Sequence, residues 1–249
     1  MIYLYRSKGE GTTPKNQKGL KMKKNVILVL DTETCNITPA DAVTRGNNLT
    51  YNIGYQIVTP CNGAVLKSRS YVVEEIFIHE AERMDSCYYA NKIPEYLNGI
   101  FSGEYQIVSF FEIMNEIHRD CKFYNVTAIC AHNASFDVDA LNTTARYLTG
   151  LDYIRALPQG IEIWDSMKMA RSVFGSRPSY RTFCEDNGFM TKHKTPRPRM
   201  TAEVLYRFIT QDITFEEEHT ALADVTIETE IIFACYRSHQ KFEKVLYPA

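Results

Sequence analysis

Residues 26–33 read Val-Ile-Leu-Val-Leu-Asp-Thr-Glu, an unbroken apolar run followed at once by two carboxylates. Five consecutive apolar residues without polar alternation are typical of a strand that is buried on both faces of a sheet. We expect this strand to end at Asp31. Because side chains alternate along an extended backbone, Asp31 and Glu33 would project to the same side. The run therefore predicts a buried strand with two acids at its end.

Two carboxylates held this close repel each other, and the arrangement is costly unless a divalent cation lies between them. The alternative interpretation is a polar turn after a strand. Acidic residues after strands are common, so the Asp-Thr-Glu triplet has little weight on its own.

The segments that follow indicate an α/β domain. Residues 51–59 and 65–73 are rich in β-branched and aromatic side chains, and the Pro-Cys-Asn-Gly turn between them predicts a hairpin. Further strands are predicted at residues 126–131 and 161–164. Residues 78–123 are predicted to be largely helical, and further helices are predicted at residues 135–148, 166–173, 180–186, 202–209 and 216–236.

The composition is that of a globular protein, since 45% of the 249 residues are hydrophobic and 23% are charged. No apolar run approaches the roughly 20 residues that span a bilayer, and no secretory signal is visible. We therefore expect a soluble, intracellular, cytoplasmic protein without a membrane partner.

The seven cysteines are scattered singly, which predicts reduced structural thiols rather than a zinc site. A net charge of -2 does not decide whether the chain binds nucleic acid.

Residues 1–24 are basic, with seven lysines and arginines against one glutamate, and they show no apolar periodicity. We expect a flexible arm here, followed by one domain at residues 25–249 that contains a helical insertion at about residues 75–123. The arm would hold nucleic acid electrostatically, or it is an upstream extension without function.

A second polar cluster, His-Asn-Ala-Ser-Phe-Asp at residues 132–137, lies where an apolar strand gives way to a helix. This spacing predicts that Asp137 occupies the first helical turn. A carboxylate there also interacts favourably with the helix dipole, so a capping role is the alternative.

A third cluster, His-Thr-Ala-Leu-Ala-Asp at residues 219–224, opens the last long helix after three consecutive glutamates. A histidine near a helix start is usually a surface or capping residue, and Asp224 alone would be a solvated helix position. Each of the three clusters is weak singly.

Together, the three clusters supply what two-metal hydrolysis of a phosphodiester needs, namely several hard oxygen ligands and a base with a pKa near neutrality. Their order and spacing resemble the DEDDh exonucleases, also called DnaQ-like, whose motifs are Asp-x-Glu, His-Asn-x-x-Phe-Asp and His-x-Ala-x-x-Asp. The resemblance covers residues 26–236. A sister group carries a tyrosine where this chain has Thr220, so the histidine branch is indicated.

The resemblance implies a ribonuclease H-like α/β fold, with a mixed five-stranded sheet of three antiparallel strands beside two parallel ones and helices on both faces. It implies two bound ions of Mg²⁺ or Mn²⁺. The implied metal ligands are the four motif carboxylates, Asp31, Glu33, Asp137 and Asp224. His219 is implied as the base that deprotonates the attacking water, and Thr32 would lie beside the terminal nucleotide.

Other predicted substrate contacts surround these motifs. Asn133 and Phe136 belong to the second cluster, and Phe136 would stack on a base, although most aromatic side chains are core.

Residues 191–200 are predicted to be a loop because they hold two prolines. With Arg177 and Arg181, this loop forms the densest basic region after the arm, and its cations would hold substrate phosphates: Lys192, Lys194, Arg197 and Arg199. A solvated loop is an equally good interpretation.

The leading hypothesis is a metal-dependent 3′-to-5′ exonuclease that acts on the 3′ end of single-stranded DNA, or on DNA ends, and releases nucleoside monophosphates. An exoribonuclease or oligonucleotidase of the same family is the alternative, because the motifs serve both. A non-catalytic nucleic-acid-binding module is a second alternative, although such a module has no need of clustered acids. A polymerase or repair complex is a candidate partner. The sequence leaves the choice of DNA or RNA, the strandedness and the oligomeric state open.

Overall fold

The computed structural model describes residues 25–36, 47–85 and 87–249, so the predicted arm at residues 1–24 lies outside it. The strands are β1 (Ile27–Asn36), β2 (Asn48–Thr59), β3 (Ala64–Val73), β4 (Gln106–Val108), β5 (Ala128–Ala131), β6 (Glu162–Asp165) and β7 (Val245–Tyr247). The helices are α1 (Glu74–Phe77), α2 (Ala81–Met84), α3 (Ile93–Ser102), α4 (Phe110–Phe123), α5 (Ser135–Thr149), α6 (Ser166–Phe174), α7 (Pro178–Asp186), α8 (Ala202–Thr210) and α9 (Ala221–Arg237), with a 3-10 turn at Ala90–Lys92.

The strands form one mixed sheet in the order β4-β3-β2-β1-β5-β6-β7. β1, β2 and β3 are antiparallel neighbours, and β5 and β6 continue the sheet parallel to β1. These five strands confirm the predicted α/β class and the predicted strand directions. The predicted count of five is wrong, because β4 and β7, three residues each, extend the two edges of the sheet.

Two predicted boundaries are also wrong. β1 does not end at Asp31, because β2 continues to pair alongside it, with Asp31 opposite Gly54 and Glu33 opposite Asn52. The segment at residues 78–123 is largely helical, as predicted, but it also contains β4, which pairs with β3. The last helix begins at Ala221 rather than at residue 216, since His219 has a φ of 54°, which a right-handed helix cannot contain. That residues 75–123 form an insertion in a domain at 25–249 stays a prediction.

The apolar run of β1 faces two cores. Ile27 and Val29 belong to one core with buried residues of α6, α8 and α9, whereas Leu28 and Leu30 belong to the other with residues of α4 and α5. The helices therefore cover both faces of the sheet, as predicted. Among the helices in the described ranges, none has the length and apolar character needed to cross a bilayer.

Candidate active site

Three of the four motif carboxylates converge at the central part of β1. Asp31, Glu33 and Asp224 each offer an oxygen atom, and these atoms lie within 4.8 Å of one another. Asp31 and Glu33 continue the two-residue alternation of Ile27 and Val29, so they lie on the face that α9 covers. Asp224, in the first turn of α9, meets them there.

The start of α9 is held against β2 by two residues, and this places Asp224. Gly54 lies opposite Asp31, and a Cβ atom added to it would meet the Ala221 carbonyl carbon at 2.4 Å, so only glycine admits the helix here. The buried Asn52 side chain accepts a hydrogen bond from the Ala221 N–H at 3.0 Å and another from the Tyr96 hydroxyl at 2.9 Å. The helix start is thereby fixed in both distance and direction.

The fourth motif carboxylate, Asp137, approaches β1 from the opposite side. It lies in the first turn of α5 and is 2% exposed. The backbone N–H of Thr32 donates to Asp137 Oδ1 at 3.1 Å, and the Thr32 hydroxyl donates to the same oxygen at 2.9 Å. Thr32 thus orients this carboxylate, a contact that the sequence motif did not predict.

Burial, together with the charges of nearby carboxylates, raises the pKa values of these acids. Burial, followed by the charges of Asp137 and other nearby carboxylates, raises the pKa of Asp31 well above its usual range. Burial and the Asp224 charge raise the pKa of Glu33 to about 8, and burial with Glu218 raises that of Asp224 to about 7. Burial raises the pKa of Asp137 to about 7, although the Thr32 hydrogen bonds lower it.

These residues fit a divalent cation. Asp224 Oδ1 is buried and has no hydrogen-bond partner among the described residues. Buried carboxylates without donors are costly, whereas hard cations such as Mg²⁺ and Mn²⁺ bind through such oxygen atoms. The donor set is therefore suited to Mg²⁺ or Mn²⁺.

A pH-dependent stability follows from the raised pKa values. The folded, metal-free protein binds more protons than the unfolded chain, whose carboxyls titrate near pH 4, so the free energy of unfolding should fall as pH rises from about 5 to about 8. Because the cation displaces those protons, Mg²⁺ should raise the melting temperature more at pH 8 than at pH 6. Thermal unfolding in EDTA and in Mg²⁺ across this range checks both effects. A metal-free melting temperature that rises over the same interval would contradict the charge repulsion.

His219 lies immediately before α9 in a left-handed conformation, with a φ of 54°. Such backbone strain is uncommon outside glycine and concentrates at functional sites. Its Nδ1 lies 3.8 Å from Glu217 Oε2, and its ring stacks on that of Tyr89, with centroids 4.2 Å apart. Burial lowers the pKa of His219. The imidazole is therefore neutral, and able to accept a proton, at neutral pH.

Tyr89 and Lys92 come from the segment between α2 and α3, and no motif marked them. Burial, followed by the charge of the Glu33 carboxylate, raises the pKa of Tyr89 to about 12. The positive charge of Lys92 acts in the opposite direction and offsets part of the rise in the pKa values of Glu33 and Asp224. The predicted insertion thus contributes an aromatic ring and a cation to this site.

Tyr89 can be tested as the residue that holds His219. We expect Tyr89→Ala to lower kcat about tenfold, since loss of the stacking contact releases the imidazole, and Tyr89→Phe to keep nearly the full rate because the ring remains. Steady-state kinetics on one oligonucleotide measures both variants. A substrate-stacking role would raise KM instead and leave kcat unchanged.

Glu228 is a buried carboxylate that sequence reasoning missed. It lies one turn beyond Asp224 on α9, is 2% exposed and accepts the His132 N–H at 3.1 Å. Burial, followed by the charges of Asp137 and Asp224, raises its pKa well above the usual range. The spacing of four from Asp224 was the available signal, because such residues share a helix face.

His132 joins three elements and does not contact the carboxylate oxygens through its ring. Its Nδ1 lies 2.9 Å from Ser166 Oγ and its Nε2 lies 2.6 Å from the Met200 carbonyl, so Nε2 donates and the Ser166 hydroxyl donates to Nδ1. Burial lowers the pKa of His132, in agreement with this neutral form. His132 thus connects the end of the predicted basic loop, at Met200, to β5, the strand that precedes Asp137.

The predicted basic loop is a short hairpin. Met190 and Pro198 form a β-bridge, and the Thr191 N–H donates to the Arg197 carbonyl at 2.8 Å. Of its four predicted phosphate-binding cations, Arg199 is half-buried. The other three are exposed, namely Lys192, Lys194 and Arg197. Their contact with substrate stays a prediction.

Asn133 and Phe136 lie at the start of α5, next to Asp137. Both are exposed, Phe136 by 41%, and both line a pocket of about 260 Å³. The backbone N–H of Asn133, whose φ is 64°, donates to Asp165, the residue that caps α6. Contact of these two side chains with substrate stays a prediction.

No family model matches the chain, and no curated protein matches it. Three solved structures are similar to this chain. Exonuclease X in complex with 5′ overhanging duplex DNA is 17% identical over 86% of this chain and 92% of that one, with a TM-score of 0.44. The zinc ion bound form of an E. coli exonuclease I complex with single-stranded DNA is 14% identical over 84% and 40%, with a TM-score of 0.48. A 3′-exonuclease that recognises the histone mRNA stem-loop is 10% identical over 89% and 67%, with a TM-score of 0.49.

This chain therefore spans less than half the length of exonuclease I.

Proposed function

We propose that this chain is a divalent-metal-dependent exonuclease that hydrolyses phosphodiester bonds from the 3′ end and releases nucleoside monophosphates. The observation that carries the proposal is the convergence of Asp31, Glu33 and Asp224 within 4.8 Å, with the buried Asp224 Oδ1 left without a hydrogen-bond partner. Such an arrangement destabilises the metal-free fold, and a binding module has no use for it.

The proposed roles follow from the geometry. Asp31, Glu33 and Asp224 would hold one cation, and Asp137, oriented by Thr32, would contribute to a second ion. A divalent cation bound there supplies Lewis-acid stabilisation of the negative charge that develops on the phosphate. Neutral His219 takes the proton of the attacking water, and the adjacent Glu217 carboxylate stabilises the imidazolium that results.

The test uses matched DNA and RNA oligonucleotides that carry a label at either end, in Mg²⁺, Mn²⁺ or EDTA. A ladder of 5′-labelled products that shortens stepwise from the 3′ end, and that EDTA abolishes, is the expected result. The same assay shows which polymer is preferred. Binding without cleavage of any substrate would support the non-catalytic module and reject the proposal.

A further inference from the structure

Two pockets lie along one side of α5 and together are called the α5 groove. A pocket of about 260 Å³ at the start of the helix is lined by Asn133, Phe136, Asp139 and Thr143, among others. A larger pocket of about 530 Å³ follows it and is lined by Asp139, Asn142 and Arg146 of the same helix. Because Asp139 lines both, the two pockets adjoin.

The groove leads away from the proposed active site. Asp137, in the first turn of α5, belongs to that site, whereas Arg146 lies in the last turn of the helix. With a rise of 1.5 Å per residue, the ten residues from Phe136 to Arg146 cover about 15 Å. A strand whose end lies at the carboxylates would therefore pass along the groove before reaching Arg146.

The opposite wall of the groove carries a second arginine and is tied to α5. Arg155, Gln159 and Tyr247 line this wall. The Ala156 N–H donates to the Asn142 side-chain oxygen at 2.9 Å, so the segment that bears Arg155 is fixed to the helix that bears Arg146. Both guanidinium groups belong to exposed residues at the far end of the groove.

We infer that this α5 groove binds the sugar-phosphate backbone of a single nucleic-acid strand upstream of the end being removed, with Arg146 and Arg155 on its phosphates. The inference rests on the proposed function for the location of the strand's end. Guanidinium groups are well suited to phosphate, and such contacts are independent of base sequence. A volume of about 530 Å³ is that of a small-ligand site and accommodates a short stretch of one strand.

The test is the salt dependence of binding to labelled oligodeoxythymidylate of three and twelve residues, measured by fluorescence anisotropy in Ca²⁺. For single strands the slope of log K against log salt changes by about 0.7 for each phosphate neutralised, so Arg146→Ala with Arg155→Ala should reduce the slope for the 12-mer by about 1.4. We expect the affinity for the 12-mer to fall about tenfold at low salt, and the affinity for the 3-mer to change less than twofold.

The matched control removes two exposed cations from α4, by Arg119→Ala with Lys122→Ala, and should leave the slope unchanged. Circular dichroism verifies that both double variants are folded. An unchanged slope in the groove variant, an equal loss in the control variant or an equal loss for the 3-mer overturns the inference.

The assay separates this inference from the proposed function. A wild-type protein that binds with the groove-dependent slope but does not cleave DNA or RNA would support the groove and reject the exonuclease. If the wild-type protein and the groove variant cleave the 3-mer and the 12-mer at equal rates, the result would support the exonuclease and reject the groove. Absence of binding to any strand would reject both.

Discussion

Asp31→Asn is expected to lower the rate of phosphodiester hydrolysis by about 10³-fold or more, since Lewis-acid stabilisation of the transition state is worth several kcal/mol and each 1.36 kcal/mol is tenfold in rate. The carboxamide retains the shape of the side chain but offers no anionic oxygen to a cation. Asp31 lies at the centre of the carboxylate cluster, where its pKa is raised by burial and by its neighbours. Single-turnover hydrolysis of an end-labelled oligonucleotide measures the loss.

The same variant should be at least as stable as the parent in EDTA at pH 8, because one buried negative charge is removed. This gain distinguishes loss of a ligand from loss of the fold. Asp186→Asn, an exposed change at the end of α7, is the matched control and should alter neither the rate nor the melting temperature. Full activity of Asp31→Asn in a preparation free of contaminating nuclease would remove the basis of the proposed site.

His219→Ala is expected to lower kcat by about 10²–10⁴-fold, the usual value of a positioned general base. The candidate metal-binding group consists of Asp31, Glu33 and Asp224 and does not include His219. The Mg²⁺-induced rise in melting temperature should therefore persist in this variant. The residual rate should increase with pH up to about 9, since hydroxide replaces the water that the imidazole would activate. Rate measurements against pH, with thermal unfolding in Mg²⁺, test all three expectations.

His219→Asn is the companion variant for this position. Asparagine tolerates the left-handed backbone that His219 adopts, so the variant removes the base without adding strain. Both variants should lose activity equally. Restoration of the rate by asparagine would assign His219 a conformational role and exclude proton transfer.

Much of the fold was predictable, because local patterns decide most of its elements. The run from Val26 to Leu30 is buried on both faces, and its alternating members belong to the two cores. β4 and β7 were not predictable, since three-residue strands at a sheet edge are stabilised by the neighbour they pair with and not by their own propensity. The continuation of β1 past Asp31 has the same cause, as β2 supplies its hydrogen-bond partners.

The candidate site was predictable to the extent that its residues form short motifs. Asp31, Glu33 and Asp224 converge as the motifs imply. Tyr89 and Lys92 have no such signal, because their positions result from how the segment between α2 and α3 folds over the sheet. The catalytic role of each residue, and the metal, stay predictions that the kinetic experiments address.

The docking of α9 on the sheet determines when the carboxylate cluster can form during synthesis of the chain. The Ala221 N–H donates to Asn52, which lies 169 residues earlier, and Asp224 meets Asp31 and Glu33 when α9 docks on the sheet at this contact and at Gly54. A nascent chain on the ribosome therefore lacks a complete carboxylate cluster until residue 224 has emerged and docked. If the chain degrades nucleic acid as proposed, it remains harmless to the messenger and ribosomal RNA around it until that stage of its translation.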